Sequence, residues 1–543
     1  MKYYMPFLLM LLTSFTPKER ADLIVFNARI YTVSDTKAVV EAMAIREGRV
    51  LALGDKKAIL SRFDAMRVID LEGKTVFPGF IDSHCHFYKY ATMTKSMADL
   101  KGTISFEEVL TIIQNFNKQY NPEWVTGRGW DQNDWTKKEF PDRTQLDKLF
   151  PKKPVMLTRV DGHAVLVNAE AIKRSGITEK NIKKPKEALY DGSGNFSGVF
   201  LESTADIFKD MVPQPDASQK RKLLLEAERD CFALGLTSVG DAGLETQAVL
   251  SLDDLQMNGD LKIRINVMLD PTEENFSRFV VQWPHIKERM SIRAVKVYAD
   301  GALGSRGACL LHPYEDQPGN TGLMNTSVEK LRAICKLAYD HGYQVCTHAI
   351  GDSANRTVLK VYGEFLKTKN DLRWRIEHAQ IVATEDQAMF GQFSIVPSVQ
   401  ATHATSDMYW AKDRLGPLRV KTAYAYKDLL KQNGWLPNGT DFPIEEINPL
   451  LTFYAAVSRQ DVKGFPPAGF QPENALSREE ALKSITLWAA KAAFEEKSKG
   501  SLEPGKLADF VVLDGDIMRM PIGNVPKVKV LMTFSGGDPV YTR

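Results

Sequence analysis

In the run Phe80-Ile81-Asp82-Ser83-His84-Cys85-His86, two imidazoles stand two positions apart. Successive side chains along a β-strand face opposite ways, so the spacing puts His84 and His86 on one face, with Asp82, and turns Cys85 away. Two imidazoles on one face can chelate a metal ion, although a His-x-His triplet alone also fits a pair of strand histidines satisfied by hydrogen bonds. His348, His378 and Asp441 each end a strand-like run of their own. Four histidines and a carboxylate at the same end of different strands form a ligand set for zinc and related divalent ions, with one position left for water. Asp441 could bind metal, take a proton from water, or do both. Lys296 interrupts an apolar run, where a buried ammonium is costly without compensation. Two compensations are open: a salt bridge to Asp300 or Asp270, or capture of carbon dioxide by a desolvated amine, giving a carbamate that bridges two metals.

Elements that could hold these residues alternate along the chain. Strand-like runs at 80–86, 294–300, 344–348, 374–378, 394–398 and 439–441 finish in polar residues and are followed by helix-like patterns. Polar groups at the carboxyl ends of successive strands are what the catalytic face of a (β/α)8 barrel presents. The fold class is therefore α/β, with a TIM-type barrel over 78–495. Residues 101–216, rich in Pro, Lys and Trp, are too long for one βα loop and predict an inserted α/β subdomain. Short alternating strands fill 21–77, and similar material recurs within 496–543, notably 508–514 and 527–534. Together they predict one β-sandwich composed from both ends of the chain.

Composition limits the partners. Hydrophobic residues make up 44% of the 543 and charged residues 25%, enough to bury a large core in an ordinary globular protein. Seventy basic against sixty-eight acidic side chains leave a net charge of +2, without the basic, aromatic-interleaved runs that follow a nucleic-acid backbone. A small-molecule substrate is expected, and no nucleic acid; a homo-oligomer is compatible with the sequence. Five cysteines at scattered spacings predict buried apolar residues rather than a disulfide framework. Residues 1–20 read as a signal peptide: Lys2 precedes a short apolar run, Met5 to Leu12. Leu12-Thr13-Ser14-Phe15 resembles a lipoprotein box with Phe in place of the required Cys. The expectation is export to the periplasm or medium without a stable membrane anchor, or a cytoplasmic protein if the leader is not cleaved.

The motifs also carry a resemblance. Pro78-Gly79-Phe80-Ile81-Asp82-Ser83-His84-Cys85-His86 resembles the first-strand motif of the amidohydrolase superfamily. Asp161-Gly162-His163-Ala164, the run from Lys296 to Arg306, His348-Ala349-Ile350-Gly351-Asp352, Glu377-His378, Gly439-Thr440-Asp441-Phe442-Pro443 and the run from Gly500 to Asp509 resemble its family-3 branch, which contains N-substituted formamide deformylase-like metal-dependent hydrolases. The resemblance implies that His84, His86, Lys296, His348, His378 and Asp441 bind metal, one or two ions, with Lys296 carbamylated as a bridge. It implies hydrolysis of a non-peptide carbon–nitrogen bond by activated water, Asp441 moving the proton. Rival readings are a mononuclear deaminase of the same superfamily, in which Lys296 stays a plain cation, and a metal-containing binding protein without turnover. Substrate contacts are expected from His163, Arg306 and Trp130. Trp130 also reads as core of the insertion, and Arg306 as a partner of Asp300 or Asp352. Among the remaining histidines, His403 follows the seventh strand and could line the pocket.

Overall fold

The computed structural model describes residues 18–543 apart from 37, 161 and 283. The leader-like apolar run lies outside the described residues. Two compact units divide the chain: one of residues up to 85, 231–249 and 262–543, and a second of 86–230 with 250–261.

The first unit holds a parallel barrel. Its strands, in spatial and sequence order, are Phe80–Cys85, Leu236–Leu244, Arg264–Leu269, Met290–Tyr298, Gln344–Ala349, Arg375–His378 and Val396–Ser398. They read as nearly continuous apolar runs because both faces are covered; every residue of Arg264–Leu269 is buried. Between strands come helices with a single apolar stripe. Val328–Asp340 buries Leu331, Ile334, Cys335 and Ala338, and its free amide at Lys330 is capped by Ser327.

An eighth segment, 437–441, closes the circle without forming a regular strand. On one side the Val399 N–H donates to the Pro437 carbonyl and the Gly439 N–H to the Val399 carbonyl, both at 3.0 Å. On the other, the Asp441 N–H donates to the His84 carbonyl at 2.8 Å. The ladder is broken at Thr440, whose N–H and hydroxyl both go to the buried Asp82 carboxylate, at 3.1 and 2.6 Å. Glycine is required beside it: a Cβ on Gly439 would lie 2.6 Å from the His84 nitrogen. The first strand ends at Cys85, one residue short of the sequence reading, and His86 follows it with φ −125° and ψ 62°. Strand alternation therefore sets the direction of His84 but not of His86.

Strands from both ends of the chain meet in one six-stranded sheet, where Thr75–Pro78 pairs antiparallel with Phe510–Leu513 in the register Val76↔Val512. A four-stranded sheet from 19–70 shares an apolar core with it, through Leu23, Val25, Met43 and Ile45 against Ile30, Val76, Phe510 and Val512. The second unit has its own six-stranded sheet with an apolar cluster on each face, one around Trp130 and Leu157, the other around Trp124 and Phe200. None of the five cysteines forms a disulfide, and all but Cys309, which is half-buried, are buried. Among the described residues no helix is long and apolar enough to cross a membrane.

A buried ion pair ties the third barrel strand to the C-terminal sheet: Arg264 Nε donates to Asp509 Oδ2 at 2.8 Å, each side chain 4% exposed. Burial works to raise the Asp509 carboxyl, but the Arg264 charge prevails and holds it below its ordinary value. A depressed carboxylate adds stability that is fully present above the unfolded pKa, roughly 4, and is lost as pH falls through the lower folded one. We expect Asp509→Asn to lower stability at pH 7 by about 3 kcal/mol, since one buried charge loses its partner. The gap to the parent should shrink at acid pH. Denaturant unfolding at both pH values checks this, and equal stability at pH 7 would remove the pair as a strut.

Candidate metal centre

The carboxyl ends of the first, fourth, fifth and sixth barrel strands and the closing segment deliver five residues to one buried place. His84, His378 and Asp441 are buried and offer ligand atoms that all lie within 4.8 Å of one another. The His348 and His378 rings are 4.5 Å apart, centroid to centroid, and those of His84 and His378 5.0 Å. Lys296, fully buried, places its Nζ 3.2 Å from His84 Nε2. The salt-bridge alternative for Lys296 is not what Asp300 does. That carboxylate accepts the backbone N–H groups of Cys309, Ile350 and Gly351 at 2.8–3.0 Å and lies 3.6 Å from His348 Nε2.

Backbone strain marks the same residues. His378 and Asp441 have φ of 71° and 61°, a left-handed conformation that side-chain-bearing residues adopt at a cost and that clusters at functional sites. In His378 this conformation ends the sixth strand, and in Asp441 it ends the closing segment.

Neighbours to which the sequence reading gave no role toward the ligands surround these groups. Glu377 hydrogen-bonds His84 Nδ1 and is itself paired with Arg375 Nε at 2.5 Å, all three side chains buried. His403, on the helix Ala401–Asp407, sits between two carboxylates: Nε2 is 3.2 Å from Asp441 Oδ2 and Nδ1 is 3.0 Å from Glu445 Oε1. Its position after the seventh strand was the only local signal. Glu377 had one too, standing beside His378, but nothing local to Arg375 announces its role.

Burial, reinforced by the Lys296 charge, pushes His84 down to about 4. Burial likewise takes His348 to about 3 and His378 well below the usual imidazole range. These three rings are neutral near pH 7, the form that binds metal. Burial also lowers Lys296 to about 8, bringing the free amine within reach of neutral pH. His403 goes the other way: burial is outweighed by its hydrogen bonds to Asp441 and Glu445.

The donor set fits a divalent ion on its own terms. His348 Nε2 and His378 Nδ1 are buried without a hydrogen-bond partner, an arrangement that ordinarily costs free energy unless another ligand satisfies the atoms. Imidazole nitrogens beside a carboxylate suit zinc and its neighbours.

The other expected site residues are placed as follows. His86 begins the second unit, where its carbonyl accepts the Tyr90 N–H at 2.7 Å; it is not part of the group of three. Trp130 is 1% exposed in the apolar core of that unit, its indole N–H donating to the Leu157 carbonyl at 2.9 Å. His163 is exposed and pairs with Glu202 at 3.1 Å. Arg306 is held by Asp316, at 3.0 and 2.9 Å, rather than by Asp300 or Asp352.

Comparison with known proteins bears on this geometry. The model of the amidohydrolase family matches residues 67–541. The chain is 33% identical to Protein LONG AFTER FAR-RED 3 of Arabidopsis thaliana, over 96% of this chain and 92% of that one. It is 25% identical to N-substituted formamide deformylase of Arthrobacter pascens, over 96% and 98%. Among solved structures it is similar to an uncharacterized metal-dependent hydrolase from Pyrococcus horikoshii OT3, with a TM-score of 0.76 and 29% identity, covering 92% of this chain and 99% of that one. If the group holds metal, His378→Ala should retain the far-ultraviolet circular dichroism of the parent while bound divalent metal, counted by elemental analysis, falls to less than half. Unchanged metal content would exclude His378 as a ligand.

Proposed function

The chain belongs to the amidohydrolase family, and from that premise we propose that it hydrolyses a non-peptide carbon–nitrogen bond of a small molecule: an amide, an N-formyl amine or a cyclic amide. The observation that carries this reading is the convergence of His84, His378 and Asp441 within 4.8 Å from separate parts of the barrel. Similarity to N-substituted formamide deformylase supports N-formyl amines within that class.

His84, His348, His378 and Asp441 would hold the metal, zinc in our reading, with Lys296 joining as a carbamate. A divalent ion bound there supplies Lewis acidity and lowers the pKa of a nearby water. The protein's own groups do the rest. Asp441 has two distinct oxygens: Oδ2 is anchored by His403 at 3.2 Å, while Oδ1 lies 3.6 Å from His84 Nε2, on the side of the ligand group. In the reaction, the water oxygen bonds to the carbonyl carbon and one water proton passes to Asp441. That proton is then delivered to the departing nitrogen as the carbon–nitrogen bond breaks. Neutral His84, His348 and His378 keep their lone pairs for metal throughout. The burial of Lys296 beside His84, with its pKa lowered, supports the carbamate reading: the free amine would add to carbon dioxide, losing one proton. The two terminal sheets, which share an apolar core, are read as one composite β-sandwich.

Two measurements test the proposal. The purified protein, supplied with zinc or manganese, should release amine from members of a panel of N-formyl and N-acyl amines. Release of ammonia alone would move the reading to a deaminase, and no turnover of any member at full metal load would sink it. In Asp441→Asn, metal should largely remain while turnover falls by about two to four orders of magnitude, the usual contribution of general acid–base catalysis. Turnover within a few-fold of the parent at equal metal content would end the proton-transfer role.

A further inference from the structure

We propose that the buried pair Arg375–Glu377 is a positioning device that fixes the tautomer of His84, so that Nδ1 carries the proton and Nε2 presents its lone pair to the metal group. The inference rests on the metal-binding reading above and names residues outside the ligand set.

Three contacts carry it. Glu377 hydrogen-bonds His84 Nδ1. An ionised carboxylate only accepts, so the hydrogen must sit on that nitrogen. Nε2, the other ring nitrogen, is the one that faces Lys296 at 3.2 Å and Asp441 Oδ1 at 3.6 Å. Glu377 stays ionised despite complete burial because Arg375 lies against it, Nε to Oε1 at 2.5 Å. Arg375 is located in turn by the first strand: its Nη2 donates to the Ser83 carbonyl at 2.9 Å, one residue before His84. A single guanidinium thus joins the sixth strand to the first and sets the carboxylate that orients the imidazole. A pair of charges with no exposed surface is a poor source of stability by itself, since desolvation offsets most of the attraction. Its geometry here serves the ring beside it, in the manner of partners that orient metal-bound histidines.

Two double variants separate orientation from packing, because both remove the charges and keep the volume. Arg375→Met with Glu377→Met leaves His84 Nδ1 without an acceptor; Arg375→Met with Glu377→Gln restores one through the amide oxygen. Zinc titration of the metal-free proteins should show affinity about 10–100-fold weaker than the parent in the first, with most of the loss recovered in the second. Parent-like affinity in the first variant, or equal weakness in both, would overturn the proposal. A measurement on the parent needs no variant to fold: nitrogen-15 labelling of histidine should report the Nδ1–H form for His84, and the Nε2–H form would overturn it. A parent that binds no zinc would instead bring down the functional reading, and this inference with it.

Discussion

The contact on which the rest depends is the approach of Gly439 to the backbone of His84. Seven strands leave a gap in the barrel, and the segment that fills it must come close enough for the Asp441 N–H to reach the His84 carbonyl. No side chain fits at Gly439, where even a Cβ would collide with His84 and with the Asp82 carboxylate. That one bare position brings the carboxylate of Asp441 to the imidazole of His84 and seals the first strand to the seventh. Asp82, raised to about 7 mainly by burial, adds hydrogen bonds to Thr440 that replace the missing ladder.

Around this seam the barrel interior is unusually polar. Lys296, Arg375 and Glu377 are buried with almost no exposure, and burying charge is expensive unless each group is matched. Matching is unequal here. Arg375 and Glu377 satisfy each other, and Asp300 is met by three backbone N–H groups. Lys296 has an imidazole nitrogen as its neighbour. Such imbalance beside residues with left-handed backbone belongs to an interior shaped for a ligand rather than for stability.

Much of this was legible in the sequence, and the reasons for the rest are physical. Strand-ending polar residues announce a barrel because a barrel gathers its strand ends at one face, so His348, His378 and Asp441 could be picked out singly, whereas Lys296 stood out as a charge inside an apolar run. Asp441 was legible although its segment is no strand, since Gly439-Thr440-Asp441 keeps the polar terminus without the ladder. The length of the first strand was not, because the position at which a strand gives way to a turn depends on what packs beyond it; His86 fell on the wrong side of that limit. Partners distant in sequence were invisible: Glu377 meets His84 across 293 positions, and Arg375 looks like any basic residue in a strand. Trp130 illustrates the opposite difficulty. A large aromatic next to Gly and Asp reads equally as a pocket residue or as core of the insertion, and only the packing decides: its indole is satisfied by a neighbouring strand and its ring fills a core.

The antiparallel pairing of Thr75–Pro78 with Phe510–Leu513 also has a temporal meaning. A ribosome releases the first of these strands more than four hundred residues before the second. Until then, the hydrogen-bonding edge of Thr75–Pro78 that Phe510–Leu513 will cover has no native partner, and Val76 and Phe77 lie along an open margin of the kind that recruits other chains. The apolar core shared by Val25, Met43, Val76, Phe510 and Val512 can be completed only when synthesis is nearly over. The Arg264–Asp509 link then makes barrel and sheet settle together. For a chain built this way, truncation near the C-terminus reaches the N-terminal strands as surely as the residues removed.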